Sequence, residues 1–286
     1  MALVGSYVGL SKILVAVFPV FLLAWLRFGI AVVAMLGWIR AGRSELPLSR
    51  HDRRLLFLES FFGNFLFSIC MLYGVAMSSA LAAGVIMAAL PAVVAVLSRV
   101  WLNERIGPRV MLGIACAVAG IALVSLSRHP EGNAAAPMLG NLLLFGAVCC
   151  EATYVVIGKR LTAKLGPKRI SALINLWGFA LVAPLGLWQA LSFDFGAVST
   201  SSWAFLAAYS IAASMITVWL WMTGLKHVDA SSAGTFTVLL PVSAALVGIA
   251  FLGERFTGAH ALAFVLALAG IVLATWPVRT PSMASP

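Results

Sequence analysis

Glu151 stands well inside an apolar run, where a carboxyl has no bulk water to hold its charge. An acid in such a place binds a cationic group, carries a proton, or pairs with a basic residue. Lys12 and Arg27 also lie inside or near apolar runs, and Lys12 could attract a carboxylate or simply snorkel to an interface. Asn64 and Ser214 fall near the middle of two further runs. A buried amide without partners costs about 2–7 kcal/mol, so Asn64 must face protein, water or a solute. An interhelical hydrogen bond worth about 1 kcal/mol would satisfy it equally well. Asn175 is a weaker candidate of the same type. Tyr7 and Tyr154 each join an apolar ring to a hydroxyl, which suits an amphipathic solute, while Trp177, Trp219 and Trp221 offer stacking surface or interfacial anchors.

Pro91 and Pro241 sit in apolar runs where a proline removes a backbone hydrogen bond and kinks a helix. Met87 and Thr237 lie about one turn before them. These residue types recognise and pass a small molecule; they do not make or break bonds. No His-Glu-x-x-His pair, aspartate cluster or Ser–His arrangement is present, and no glycine-rich phosphate loop, so neither an enzyme nor an ATP-driven machine is expected. The four histidines are scattered, and the four cysteines fall in apolar runs without zinc or disulfide spacing. No metal and no cofactor are expected. Glu59 lies close to Arg53 and Arg54 and is expected to reach a cytoplasmic ion pair; Glu104-Arg105 and Glu254-Arg255 read as interfacial salt bridges at span ends.

The elements that must position these groups follow from composition. Of 286 residues, 62% are hydrophobic and 10% charged, against about 25% charged in a soluble domain. So few charges cannot cover this much apolar surface in water, and lipid is the solvent. A membrane-crossing helix needs about 20 apolar residues, and about ten such windows occur. They run near Ala2–Phe18, Val20–Trp38, Leu55–Met77, Ala80–Trp101, Val110–Leu126, Met138–Gly158, Ile170–Leu191, Trp203–Leu225, Ser231–Leu252 and Ala259–Trp276. Unbroken apolar runs exclude a β-barrel, whose strands alternate.

The net charge of +10 is a matter of topology. With the amino terminus cytoplasmic, the loops on that side collect fifteen of the nineteen lysines and arginines, from Arg40 to Arg279, and the opposite loops only Arg128 and Arg255. This bias is the positive-inside rule, and it places both termini in the cytoplasm. Nucleic acid is not needed as a partner.

The second half of the chain repeats the first. Leu90-Pro91 recurs as Leu240-Pro241, Glu104-Arg105 as Glu254-Arg255, and Ala119-Gly120-Ile121 as Ala269-Gly270-Ile271, all at an offset of about 150 residues. Asn64 and Ser214 share that offset. Tyr7-Val8 and Lys12 match Tyr154-Val155 and Lys159 at about 147. The repeats span residues 1–127 and 138–277, with 278–286 read as a disordered tail. Five helices per half is an odd number, so the halves cross the membrane in opposite directions, the architecture in which transporters enclose a midplane site. By the same offset the counterpart of Met138 falls before Met1, so helix one is short or the sequence begins inside it; the second reading is preferred.

The order Gly5-Ser6, Lys12, Pro19, Arg27, Leu90-Pro91 and Leu102-Asn103-Glu104-Arg105 resembles the EamA-type drug/metabolite transporters. Leu252-Gly253-Glu254-Arg255 and Gly270-Ile271 resemble the second EamA repeat. Within that superfamily the overall pattern is most similar to bacterial amino-acid and metabolite exporters of the YddG type. The resemblance implies ten helices in two inverted five-helix repeats around a central cavity. Val4 stands where the family has an aromatic residue, and the second repeat has no equivalent of Arg27.

The expected function is a secondary transporter in the bacterial inner membrane, moving small amphipathic metabolites, amino acids first among them, outward by alternating access. Tyr7, Lys12, Asn64, Met87, Tyr154, Trp177, Ser214 and Thr237 are its candidate solute contacts. Pro91 and Pro241 are its candidate pivots, and Glu151 its candidate coupling group. A monomer would suffice. The alternative on the same fold is an importer or exchanger of sugar-linked or phosphorylated solutes, which would favour several deep cations.

Overall fold

The computed structural model describes residues 1–40, 48–102, 108–126, 135–227, 239–254 and 256–275. Among these residues there are helices and no strands. Helix α1 is Ala2–Val15, α2 Val20–Ala34, α3 Arg50–Met77, α4 Ala80–Met87, α5 Leu90–Leu102 and α6 Pro108–Leu126. They are followed by α7 Ala135–Thr162, α8 Pro167–Ala190, α9 Thr200–His227, α10 Leu239–Leu252 and α11 Gly258–Thr275. The core of α3, α7, α8 and α9 is long and apolar enough to cross a membrane, and shorter apolar helices fill the rest. Large side chains such as Val33, Leu142, Leu246, Phe251 and Val265 are exposed on the outer faces. Apolar surface on that scale faces lipid.

The helix ends follow local chemistry. Ser49 opens α3 with a capping box: its Oγ accepts from the Asp52 N–H at 3.1 Å while Asp52 accepts from the Ser49 N–H. Lys164, just beyond α7, donates to Asp52 at 2.9 Å and ties the two helix ends together. Ser79 caps α4 through the Ala82 N–H. Pro167 stands in the first turn of α8, where its missing N–H costs nothing.

Two features recur at the spacing of the sequence repeat. Helix α3 contains a π-helical turn at Phe61–Leu66, and α9 contains one at Ile211–Ile216. Such turns are rare and recur at functional sites, because the wider ring leaves carbonyls free of their usual partners. Asn64 and Ser214 each sit inside one of them.

The fourth span departs from the expected kink. The helix stops at Met87, turns through Ala88 and Ala89, and restarts at Leu90. Pro91 therefore occupies the first turn of α5, where a proline is tolerated, and the break falls before it. Pro241 is buried in the first turn of α10. The expected start of the ninth span at Ser231, the Glu104-Arg105 pair, Arg128, Arg255, Thr237 and the tail 278–286 lie outside the described residues.

Packing pairs helices from the two halves: α1 on α10, α2 on α8, the second part of α3 on α7, and α6 on α11. The α1–α10 contact is backbone on backbone. A Cβ at Gly5 would collide with the Leu240 carbonyl, and one at Gly9 would lie 2.6 Å from Val247 Cγ1. Small residues four apart allow this approach where lipid supplies no hydrophobic drive.

Candidate functional site

A cavity opens among α1, α2, α3, α7 and α9. Its walls are Met1, Val4 and Tyr7 of α1, Arg27 of α2, and Gly63, Asn64 and Phe67 of α3. Glu151 and Tyr154 of α7 and Ala213, Ser214, Thr217, Val218 and Trp221 of α9 complete it. Both π-turns thus face the same space.

Arg27 is 5% exposed and has no carboxylate partner among the described residues. Its Nη1 donates to the Tyr7 hydroxyl and its Nη2 to Ser68 Oγ at 2.6 Å, while Nε has no partner. The guanidinium also lies 4.3 Å from the Phe28 ring centroid and 5.2 Å from that of Tyr7. Two neutral hydrogen bonds and two ring faces orient the cation without neutralising it. Tyr7 is held from the other side by stacking on Tyr209, ring centroids 5.1 Å apart.

In the same cavity Glu151 is 6% exposed, one turn before Tyr154 on the same face of α7. The Tyr154 ring packs on Gly63 so closely that a Cβ there would overlap it. The glycine in the π-turn therefore sets where the tyrosine stands. Asn64 donates to the Ile174 carbonyl at 2.8 Å, a carbonyl that also accepts from Ser60 Oγ at 2.6 Å. On the other π-turn, Asn175 donates to the Ser214 carbonyl at 3.0 Å, and Thr217 Oγ1 to the Ala212 carbonyl at 2.8 Å. Side-chain donors thus bond backbone carbonyls at both turns, which suits a backbone in lipid.

The remaining candidates lie elsewhere. Met87 is buried in the core beside α4 and Trp177 is 43% exposed on the outer face, against Phe57; neither lines the cavity. Lys12 points to the far end of the bundle, donating to Glu254 Oε1 at 3.1 Å and to the Ser78 carbonyl at 2.9 Å. Glu254 also accepts from the Ala80 and Leu81 N–H groups, each at 2.9 Å, at the start of α4. The left-handed Gly253 (φ 63°) lets the chain fold back so that the Glu254 N–H reaches the Gly248 carbonyl. The result is a latch joining α1, the α3–α4 turn and α10. Glu59 does not reach an arginine: it is fully buried and neither carboxyl oxygen has a partner. Helix α3 turns it inward against Gly158, while Arg53 and Arg54 are exposed.

Sequence reasoning left out Gly63, Phe67, Ala213, Thr217 and Val218, which carry no chemistry of their own and enter the site only because the π-turns bring them there. Arg27 was visible as an intramembrane cation, but its place in one cavity with Glu151 depends on how α2 and α7 pack.

An all-helical apolar bundle around one polar-lined cavity is the build of a membrane transporter. The chain belongs to the EamA-like transporter family, whose pattern matches residues 1–126 and again 138–276. It is 33% identical over 284 residues, 98% of this chain and 86% of the relative, to a Bacillus subtilis protein named uncharacterized transporter YetK. It is 28% identical over 145 residues to the threonine/homoserine exporter RhtA of Salmonella typhimurium, covering 50% of this chain and 47% of RhtA. A solved crystal structure 20% identical in sequence matches 96% of this chain and 93% of its own with a TM-score of 0.65, which shows a shared fold. The relatives are named transporters, which points away from an enzyme.

Proposed function

We propose that the chain exports small zwitterionic solutes, amino acids foremost, across the bacterial cytoplasmic membrane by alternating access. The observation that carries this reading is the presence of one cation and one acid, borne by different helices, in the wall of an otherwise aromatic and small-residue cavity. Arg27 suits a carboxylate, Glu151 suits an ammonium, and Tyr7, Phe67, Tyr154 and Trp221 suit an apolar side chain. A phosphorylated solute would call for more cations than Arg27 alone. The printed name of the partial relative RhtA supports amino acids as the class.

In this reading the chain is ten membrane spans in two five-helix repeats of opposite orientation, with both termini cytoplasmic. The family pattern matching each half supports it, as do the two π-turns at one spacing. The Lys12–Glu254 latch closes the outer end, and Pro91 and Pro241 serve as pivots. A single chain holds the complete cavity. Counterflow of labelled amino acids into liposomes carrying the purified protein tests the reading. Threonine or an apolar amino acid should exchange, and Arg27→Met should raise the half-saturating concentration about thirtyfold, the equivalent of about 2 kcal/mol. A broad amino-acid panel that does not move would sink the amino-acid assignment.

A further inference from the structure

Glu59 lies nine residues into α3, fully buried, with both carboxyl oxygens beyond the reach of any donor among the described residues. Its Oε1 presses on Gly158 of α7: a Cβ at that position would be 2.8 Å away, with Met222 and Leu225 of α9 closing around the same point. Three lysines at this end of the bundle are engaged elsewhere. Lys159 donates to the Leu225 carbonyl, Lys164 to Asp52, and Lys168 lies over Trp38 and Trp219. Arg169 of α8 does not bond the carboxyl either. A bare carboxylate in such a site is far costlier than the neutral acid.

The ionisable groups that face it are both on α7. Tyr154 and Glu151 share one helical face with Gly158, and the Tyr154 ring packs on Gly63, one turn beyond Glu59 on α3. Glu151 and Tyr154 line the cavity; Glu59 does not. Glu151 and Gly158 lie about 10 Å apart along α7, so this face runs from the cavity toward the membrane face at which α3 begins. The π-turn starts two residues after Glu59, giving α3 a place to shift register and turn the carboxyl.

We propose that Glu59 is the proton carrier of a solute–proton exchanger. A proton entering from the cavity passes by the Glu151 carboxyl and the Tyr154 hydroxyl to the Glu59 carboxylate. It leaves to water at the face where α3 begins when α3 and α7 part. This rests on the transport reading above. Glu59 lies behind the cavity wall, so it does not bind the solute's amine.

The test uses the full chain in liposomes, with infrared spectroscopy beside flux of labelled threonine. In a Glu151→Gln background the chain should show the carbonyl stretch of a protonated carboxylic acid at neutral pH, and adding Glu59→Gln should remove it. Glu59→Gln should keep threonine counterflow without a gradient yet lose the acceleration that an imposed pH gradient gives the wild type. In Glu151→Gln the hydrogen–deuterium exchange of the Glu59 band should slow by about a hundredfold, the usual worth of a positioned proton donor. A band that persists when Glu59→Gln is added, unslowed exchange in Glu151→Gln, or an intact gradient response overturns the proposal. Were threonine not to move in the wild type, the substrate reading would fall, and the two infrared results would decide Glu59 by themselves.

Discussion

Two glutamates taken out of bulk water at opposite ends of the bundle meet opposite treatment. Glu254 receives three donors, one of them the Lys12 ammonium and two the leading N–H groups of α4, where the helix dipole also favours an anion. Glu59 receives none and packs against Gly158 and two apolar side chains. Both sit where a helix of one half meets a helix of the other, so partner supply, not location, separates them. A fully satisfied carboxylate fixes the helices it touches. An unsatisfied one is stable only with a proton and changes state if its surroundings open to water.

The largest effect expected from this contrast is on folding. Glu254→Ala strips two N–H groups and a lysine of their acceptor at a mostly buried site, and removing one partner of such a network costs about 3 kcal/mol. Glu59→Gln exchanges one neutral group for another and should cost less than about 1 kcal/mol. Thermal unfolding in one detergent compares them directly. Equal losses would mean that Glu59 is an ion with a hidden partner and that the contrast is void.

Much of the fold was legible in the sequence because lipid imposes a length and a polarity that any helix must obey. Among the described residues the helices begin and end within about five residues of the apolar windows, and Asn64 and Ser214 were paired by offset alone. What escaped was register. Nothing in Phe61–Leu66 or Ile211–Ile216 announces a π-turn. Glu59 was assigned to a cytoplasmic ion pair because Arg53 and Arg54 lie nearby in sequence. On a helix, however, neighbours six and five residues away point to other faces. Trp177 shows the same limit in reverse: its ring chemistry suited a solute, yet its face of α8 turns outward.

Arg27→Met tests whether the cavity's cation is as uncommitted as its neutral partners imply. It removes two hydrogen bonds to a charged group, so about 2 kcal/mol of solute affinity or stability should be lost. The half-saturating threonine concentration in counterflow and the unfolding temperature separate the two. A loss confined to unfolding would make Arg27 a strut between α1 and α3. Lys12→Met should matter less, about 1 kcal/mol, because Glu254 keeps both backbone donors and the lysine is partly exposed. Added salt should lower wild-type stability toward that of the variant and leave the variant unchanged.

The smallest effects separate the two π-turns. Asn64 supplies a side-chain donor to the Ile174 carbonyl, whereas Ser214 is held by its own carbonyl, which accepts from Asn175. Asn64→Ala should therefore cost about 1 kcal/mol of stability, the worth of an interhelical bond in lipid. Ser214→Ala removes a hydroxyl that the fold does not use and should leave the unfolding temperature in place. If Ser214→Ala nonetheless weakens threonine exchange, the hydroxyl meets the solute, and the turn in α9 is the recognising one while that in α3 braces the cavity. If neither stability nor exchange responds, the serine is lining only, and the polar selectivity of the cavity reduces to Arg27 and Glu151.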